Sequence, residues 1–276
     1  MDVIVAGGRG FVGTHVCAWL VEHGATVRVA GRGDPLDGGD VIVHLGLFDE
    51  TCARDVAREL RDRRLVVASS GDVYFVYDQL RGREPWDGVQ PGALAEDAPL
   101  RSQLYPYGRD AMTPKGRFVD YDKILVERAV LDVGATVLRL PKVYGPGDPA
   151  PVYAPAVRRM RGNAPVVIGE RVAGWRWTHG YVEDVAHAIG LAATHAELRG
   201  RIFNVGEAAT PSQLDRLCAV VGAVEVVPDD RVPSELAAPI VNAVDLVLDT
   251  SRIRRELGYR EIVDPQRAIA RTVASM

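Results

Sequence analysis

Lysine is almost missing from this chain: Lys115, Lys123 and Lys142 are the only three, and arginine supplies the rest of the positive charge. A basic excess is missing as well. The formal net charge is -4, so the footprint expected of a nucleic-acid-binding protein is absent. No apolar run approaches the roughly 20 residues a membrane-spanning helix needs, which excludes a membrane partner of that kind. The first strand is read from the second residue, so no signal peptide is expected. Cys17, Cys52 and Cys218 are an odd, scattered set without C-x-x-C spacing, which excludes a disulfide framework. The six histidines show no metal-ligand spacing. A reduced, metal-free, cytoplasmic protein is expected, and no internal repeat or low-complexity segment interrupts it.

What the chain does have is glycine, 28 of them, and the first few are spaced to a purpose. Met1 to Gly13 reads MDVIVAGGRGFVG, an apolar strand running into a glycine-spaced turn and then a helical pattern. Gly7 lets the chain turn off the strand, Gly10 lets backbone approach a pyrophosphate, and Gly13 lets the helix pack on the sheet. The helix then directs its positive N-terminal end at the phosphates. Dinucleotide binding is the expectation. Beyond this unit, β-branched apolar runs alternate with helical patterns, as a doubly wound parallel sheet requires. Strands are predicted at 2–6, 25–30, 40–45, 64–69, 135–140 and 202–205, and helices near 11–23, 50–62, 121–133, 152–161, 182–195 and 211–221. The stretch 79–116, rich in Pro, Gly and charge, reads as one long irregular loop.

Gly7-x-x-Gly10-x-x-Gly13, with Phe11 and Val12 between the last two glycines, resembles the extended short-chain dehydrogenase/reductase superfamily, in its NAD-dependent epimerase/dehydratase group. Further landmarks follow in that family's order: DVIVHLG at 40–46, VVASSGDVY at 66–74, YDKILVER at 121–128, LRLPKVYGPG at 138–147, WTHGYVEDVA at 177–186, FNVG at 203–206 and DTSRIRRELG at 249–258. The resemblance covers nearly the whole chain. It implies an α/β, Rossmann-like doubly wound parallel sheet with a small C-terminal substrate lobe. The division is a dinucleotide-binding domain over 1–145 and a mixed region over 146–276 that forms the lobe and returns elements to the sheet. The cofactor contacts it implies are Gly7, Arg9, Gly10, Phe11, Val12, Gly13, Arg32, Leu45, Lys123, Pro141 and Val143. Substrate contacts fall on Asp72, Tyr107, Tyr144 and Arg176.

Two departures stand beside these matches. Only GRGDPLDGGD separates the second strand from the one starting at Asp40, where the family has a further helix and strand, so a narrower sheet and a more open adenine pocket are expected. The family's Tyr-x-x-x-Lys pair is also broken: counting back from Lys123 places Val119 where the tyrosine belongs. Residues four apart share a helix face, which lets the lysine favour the phenolate. Tyr121 lies nearly opposite Lys123 on an ideal helix at about 100° per residue. It can serve as acid/base only if Asp120 or Asp122 caps the helix and Tyr121 lies ahead of it; otherwise it is an aromatic wall. Tyr74, Tyr105, Tyr107 and Tyr144 are the other candidate donors.

Ser70 aligns with the family's catalytic serine at a strand's C-terminal end, and its alternative is a buried serine satisfying backbone. Asp72 is either an acid or a turn cap. Lys123 either holds the cofactor ribose or is a solvated helix residue paired with Glu127. Arg176, beside Trp175 and Trp177, suits a diphosphate, a carboxylate or a planar ring. His179 and Asp184 read as structural. The second strand ends Ala30-Gly31-Arg32, and Arg9 sits inside the glycine turn. Two arginines and no immediate carboxylate favour NADP, with NAD open if Asp34 or Asp37 folds back. The functional expectation is hydride transfer at a carbinol or carbonyl carbon of a sugar nucleotide or specialised metabolite, catalysed by Ser70, Tyr121 and Lys123. The alternatives are a dinucleotide-binding sensor or scaffold without turnover and a non-redox isomerase or lyase. A small-molecule partner is implied, with a homodimer through helix 121–133 open.

Overall fold

The computed structural model describes residues 1–60, 62–108 and 120–276. Six strands form one parallel sheet: β1 (Asp2–Ala6), β2 (Thr26–Ala30), β3 (Val41–His44), β4 (Arg64–Ser70), β5 (Thr136–Leu140) and, returning late in the chain, β9 (Ile202–Asn204). Their order across the sheet is β2-β1-β3-β4-β5-β9. The sheet reverses direction at β1, where the first crossover runs one way to β2 and the next goes the other way to β3. Ligands of open α/β sheets bind at such a point, beyond the strands' C-terminal ends. β2 is an edge strand, as the short connection before Asp40 requires.

Each central strand is apolar on both faces because helices cover both. Val3, Val5, Val41, Val43 and Val66 pack against α1 (Phe11–Glu22) and α7 (Val182–Thr194). Ile4, Ala6, Ile42, Leu65 and Val67 pack against α2 (Glu50–Glu59) and α4 (Lys123–Leu131). The period of two along a strand thus separates two cores. Helices α1 and α7 approach closely at Gly190, where a Cβ would sit 2.0 Å from the Trp19 ring.

The predicted strands and helices are all present, shifted by up to three residues at their ends. Short elements escape periodicity: β6 (Lys142–Tyr144) pairs with β8 (His179–Tyr181), and β7 (Val167–Gly169) with β10 (Glu225–Val227). The helices α3 (Phe75–Leu80), α6 (Glu170–Ala173) and α10 (Pro265–Ala274) were likewise not expected, and α3 takes the first residues of the predicted loop. The described remainder of that loop, to Gly108, has no helix. The lobe beside the sheet contains α5 (Ala154–Arg161) and α8 (Gln213–Val221), while α9 (Ser251–Leu257) lies against β9. Val73, Tyr74, Leu80, Leu94, Trp175, Val244 and Leu246 form a further core that joins distant segments. Among the described residues no helix is long and apolar enough to cross a membrane, and no group of three or more His, Cys, Asp or Glu is placed to hold a metal ion.

A buried polar network clamps the sheet's C-terminal edge. Arg139 on β5, 2% exposed, donates from Nε and Nη2 to the two Glu127 oxygens of α4 at 3.0 and 2.7 Å. Ser69 on β4 donates to the same carboxylate at 2.5 Å. Arg139 also donates to the Tyr74 hydroxyl and to the Glu96 carbonyl, and Tyr74 donates to Asn204 on β9. Removing one partner of a buried ion pair strands the other charge in a low dielectric, at a cost of about 3–5 kcal/mol. Glu127→Ala should therefore lower the unfolding free energy by about that amount in urea titrations. A loss below about 1 kcal/mol, the range of a surface pair, would show that the pair does not hold this edge together.

Candidate functional site

Two clefts open at the C-terminal edge of the sheet. The larger, about 1030 Å³, runs from the glycine turn past the end of β2 to the residues after β3. Gly7 has φ +87°, and its carbonyl accepts from Gly10 N at 3.0 Å, which closes the turn. A Cβ on Gly13 would lie 2.2 Å from that carbonyl, so only glycine permits the contact. Gly10 is the N-cap of the 12-residue helix α1, and no side chain caps it. The free amides of that first turn face the cleft as a ready anion site.

Gly7, Arg9, Gly10, Phe11, Val12, Gly13, Arg32 and Leu45, all expected to contact a cofactor, line this cleft together. Arg9 and Arg32 are exposed there with no carboxylate in ion-pair range among the described residues. The short loop after β2 does fold back: Asp34 accepts from Gly31 N at 2.7 Å and lines the same cleft. Asp37 instead faces Arg28 at 3.6 Å. Pro141 lines the smaller cleft, and Val143 packs among the apolar cores, so neither borders the larger one.

The smaller cleft, about 270 Å³, starts at Ser70, Gly71 and Asp72, where β4 ends in a single 3-10 turn. Ser70 Oγ accepts from Asp72 N at 3.2 Å, so it caps that turn and still faces the cleft. Asp72 is 6% exposed, and its Oδ2 accepts from the Tyr121 hydroxyl at 2.9 Å and from the Tyr107 hydroxyl at 3.3 Å. Its Oδ1 is buried without a hydrogen-bond partner. Tyr77 extends the hydroxyl series, donating to Tyr107 at 3.1 Å. Burial pushes the Asp72 carboxyl upward, against the pull of Arg101, the Tyr121 hydroxyl and Lys123.

Tyr121, buried and lining neither cleft itself, reaches this cluster because it precedes the helix. Asp122 is the N-cap of α4, accepting from Ile124 N at 2.8 Å, and Asp120 has φ +59°. A cap residue leaves the helical path, which frees Tyr121 from the spacing that would have turned it away. Burial, the Asp72 carboxylate and Tyr107 raise the Tyr121 pKa well above the ordinary 10, while a hydrogen bond with Ser70 works the other way. The lowering that a lysine four residues along a helix gives a phenol is not seen at Tyr121, which is held above the ordinary phenol range. Val119 lies outside the described residues.

Lys123 departs from both readings made of it. It is 4% exposed, not solvated, and Glu127 is bonded to Arg139 and Ser69 rather than to it. Its Nζ donates to the carbonyls of Leu47 at 2.5 Å and Ala68 at 2.8 Å, and lies 4.9 Å from the Phe48 ring centroid. The ammonium therefore ties the β3–α2 connection to β4 and lines neither cleft.

Two expected substrate contacts also fall elsewhere. Tyr144 is 2% exposed among Tyr153, Tyr181 and His179, with Glu207 beside its hydroxyl, because β6 turns its ring into the lobe core. Arg176 is bound through Nε and its backbone amide to Asp245 at 2.7 and 2.8 Å and borders neither cleft. Tyr107 and Asp72 do line the smaller cleft. His179 is buried in β8, and Asp184 accepts from the amides of Ile262 and Val263, as structural residues. Sequence reasoning missed Tyr77, Phe48 and Arg101. The last is buried and donates to the Asp72 carbonyl, but no local pattern marks an arginine in an irregular segment as interior.

The model of the NAD dependent epimerase/dehydratase family matches residues 112–206. A sterol-4-alpha-carboxylate 3-dehydrogenase, decarboxylating, from Mus musculus is 25% identical over 73% of this chain, which spans 62% of that protein's length. A dTDP-glucose 4,6-dehydratase from Streptomyces griseus is 28% identical over 92% of this chain and 76% of its own. Among solved structures, a UDP-glucuronic acid 4-epimerase from Bacillus cereus in complex with UDP-glucuronic acid and NAD has TM-score 0.68 at 17% identity, covering 100% of this chain and 98% of its own. The Thermus thermophilus UDP-glucose 4-epimerase in complex with NAD has TM-score 0.64 at 22% identity over the same shares.

Burial draws the Lys123 pKa from the usual 10.5 down to about 8, with Asp72 and Glu127 offsetting part of the fall. Between those values the unfolded chain binds a proton the folded chain has released, so this group's contribution to stability rises with pH. The unfolding free energy of the native chain should gain on that of Lys123→Met from about pH 8 to 10.5, by up to about 3 kcal/mol. A difference that stays flat with pH in urea titrations would show that the ammonium is not desolvated.

Proposed function

We propose that this chain, which belongs to the NAD-dependent epimerase/dehydratase family of extended short-chain dehydrogenases/reductases, is a nicotinamide-dependent enzyme acting at a carbinol or carbonyl carbon. The observation that carries this reading is the meeting of Ser70, Asp72 and Tyr121 at the end of β4, beside a cleft built on a glycine turn. The larger cleft suits a dinucleotide: it has a turn that tolerates no Cβ at Gly13, free helix amides and two unpaired arginines. Gly10, Phe11, Val12 and Gly13 would hold the pyrophosphate and Leu45 the wall behind it. When bound, the dinucleotide supplies or accepts the hydride.

This chain's residues handle the oxygen and its proton. The Ser70 hydroxyl donates a hydrogen bond to the substrate oxygen. Tyr121, kept protonated by burial and by Asp72, is the proton donor when a carbonyl is reduced. In the oxidising direction the substrate proton passes to the Tyr121 oxygen as the Tyr121 proton passes along its 2.9 Å hydrogen bond to Asp72. Tyr107, partly exposed and bonded to Asp72, connects the carboxyl to solvent. Asp72 thus serves Tyr121 as a proton acceptor, where a helix-spaced lysine would instead favour the phenolate, and Lys123 is a positioning residue. This convergence favours turnover over a binding-only sensor or scaffold. A homodimer through α4 would have Arg128 and the half-buried Leu125 and Leu131 to work with, a sparse face for an interface.

Tyr121→Phe and Asp72→Asn should each lower turnover by about 10²–10⁴-fold. Both should leave dinucleotide affinity, followed by fluorescence titration, within about twofold of the native value. Native turnover in Tyr121→Phe would remove the phenol from the chemistry. Arg9 and Arg32 support NADP, since a 2'-phosphate needs a cation, whereas Asp34 supports NAD. NADPH should bind more tightly than NADH, and Arg32→Ala should erase about tenfold of that preference. Tighter NADH binding by the native chain would assign the site to Asp34.

A further inference from the structure

Among the described residues, the cations bordering the smaller cleft are paired with carboxylates, Arg81 excepted. Lys142, on its wall, is held by Asp148 at 3.2 Å. Arg83, beside Tyr77, is held by Asp78 at 2.9 Å. Beyond the rim, Arg171, Arg176 and Arg216 are bound to Asp229, Asp245 and Glu207 at 2.7–2.8 Å. Arg81 alone among the lining cations has no carboxylate partner among the described residues, and it donates to the Pro239 carbonyl at 2.8 Å. The interior charge is the carboxyl of Asp72. An anion of two or more charges would enter a small cleft whose floor is a carboxyl and where, among the described residues, only Arg81 is left without a carboxylate partner, a poor exchange for its hydration.

The walls are of another character. Trp175 and Trp177 stack at 5.5 Å with 26° between their planes, and Trp175 is pinned by Nε1 donating to the Val244 carbonyl at 2.7 Å. Across from them, Pro239 and Ile240 form a strap fastened by Arg81 on one side and by Arg171, which donates to the Ile240 and Val241 carbonyls, on the other. Leu80, Leu140 and Leu246 complete an apolar lining. Ligand sites for drug-sized molecules run from about 300 to 1,000 Å³, so a cleft of about 270 Å³ takes a compact one.

We propose that the substrate is a compact, uncharged, ring-bearing ketone or secondary alcohol that lies between Trp177 and Ile240 with its oxygen at Ser70, and that a diphosphate-bearing sugar nucleotide is excluded. The inference rests on the catalytic reading above and names the substrate class of that site. The oxygen meets the one polar end of the cleft, and the ring displaces water from the tryptophan and the strap. Specificity against sugar nucleotides comes from the carboxyl floor and the paired cations, which among the described residues leave one guanidinium, Arg81, to face a diphosphate.

The test is calorimetric titration of the full chain, saturated with NADP⁺, with 1-tetralone and separately with UDP-glucose, followed by turnover assays with NADPH and NADH. Saturable tetralone binding, weakened at least tenfold in Trp177→Ala, with no UDP-glucose binding, is the expected result. Ile240→Lys is the second variant, in case Trp177→Ala does not fold; it should likewise weaken tetralone binding at least tenfold. Saturable UDP-glucose binding, or tetralone binding unchanged in a folded variant, would overturn the assignment, as would no binding of tetralone. Tetralone that binds as expected but is never reduced leaves the substrate-class assignment supported and counts against the catalytic reading, so the two can fail separately.

Discussion

The Glu127–Arg139 pair is the constraint on which the rest of the site depends. It is buried, doubly hydrogen-bonded, and shared with Ser69, the residue before Ser70. A desolvated pair of this kind tolerates little displacement, because each ångström of separation exposes an uncompensated charge to a low dielectric. It therefore fixes the rotation of α4 against β4 and β5. Lys123 lies one turn earlier on that helix, and Tyr121 just before it. Through Tyr74, Asn204 and Glu96 the same network reaches β9 and the irregular segment around Glu96. Polar interaction here sets geometry more than it adds stability.

Within that frame the chemistry passes through contacts between segments remote in the chain. Tyr121 meets Asp72 across 49 positions of sequence, and Tyr107 meets it across 35. A tyrosine and a lysine on one helix face is one way to keep a phenol ready for proton transfer. A buried carboxyl 2.9 Å from the phenol is another, and it keeps the phenol protonated rather than ionised. The lysine is then released for a mechanical role, with its donors spent on the carbonyls of Leu47 and Ala68.

The two clefts differ in the way their charges are used. In the larger one, helix amides, Arg9 and Arg32 are left open to an anion. Around the smaller one, the described cations other than Arg81 are matched with carboxylates, and the space between is lined by indole rings and aliphatic side chains. Anion recognition and apolar recognition are thereby separated to opposite sides of the Ser70 end of β4. The larger cleft straddles the reversal point, at the ends of β2, β1 and β3, whereas the smaller one lies at the ends of β4 and β5.

The sequence by itself determined the parallel sheet, both helix layers and the glycine turn, because each is a local pattern: apolar strands, capped helices and three glycines at fixed spacing. Every glycine-turn residue chosen from it lines the larger cleft, and the alternative in which Asp122 caps α4 and frees Tyr121 is the one observed. The tertiary structure decided what depends on partners. It paired Glu127 with Arg139 rather than Lys123, buried Tyr144 in the lobe core, tied Arg176 to Asp245 and set Asp72 beside Tyr121. A side chain's charge is written in the sequence, but whether that charge is neutralised, buried or left open to a ligand depends on what the fold brings within about 4 Å of it.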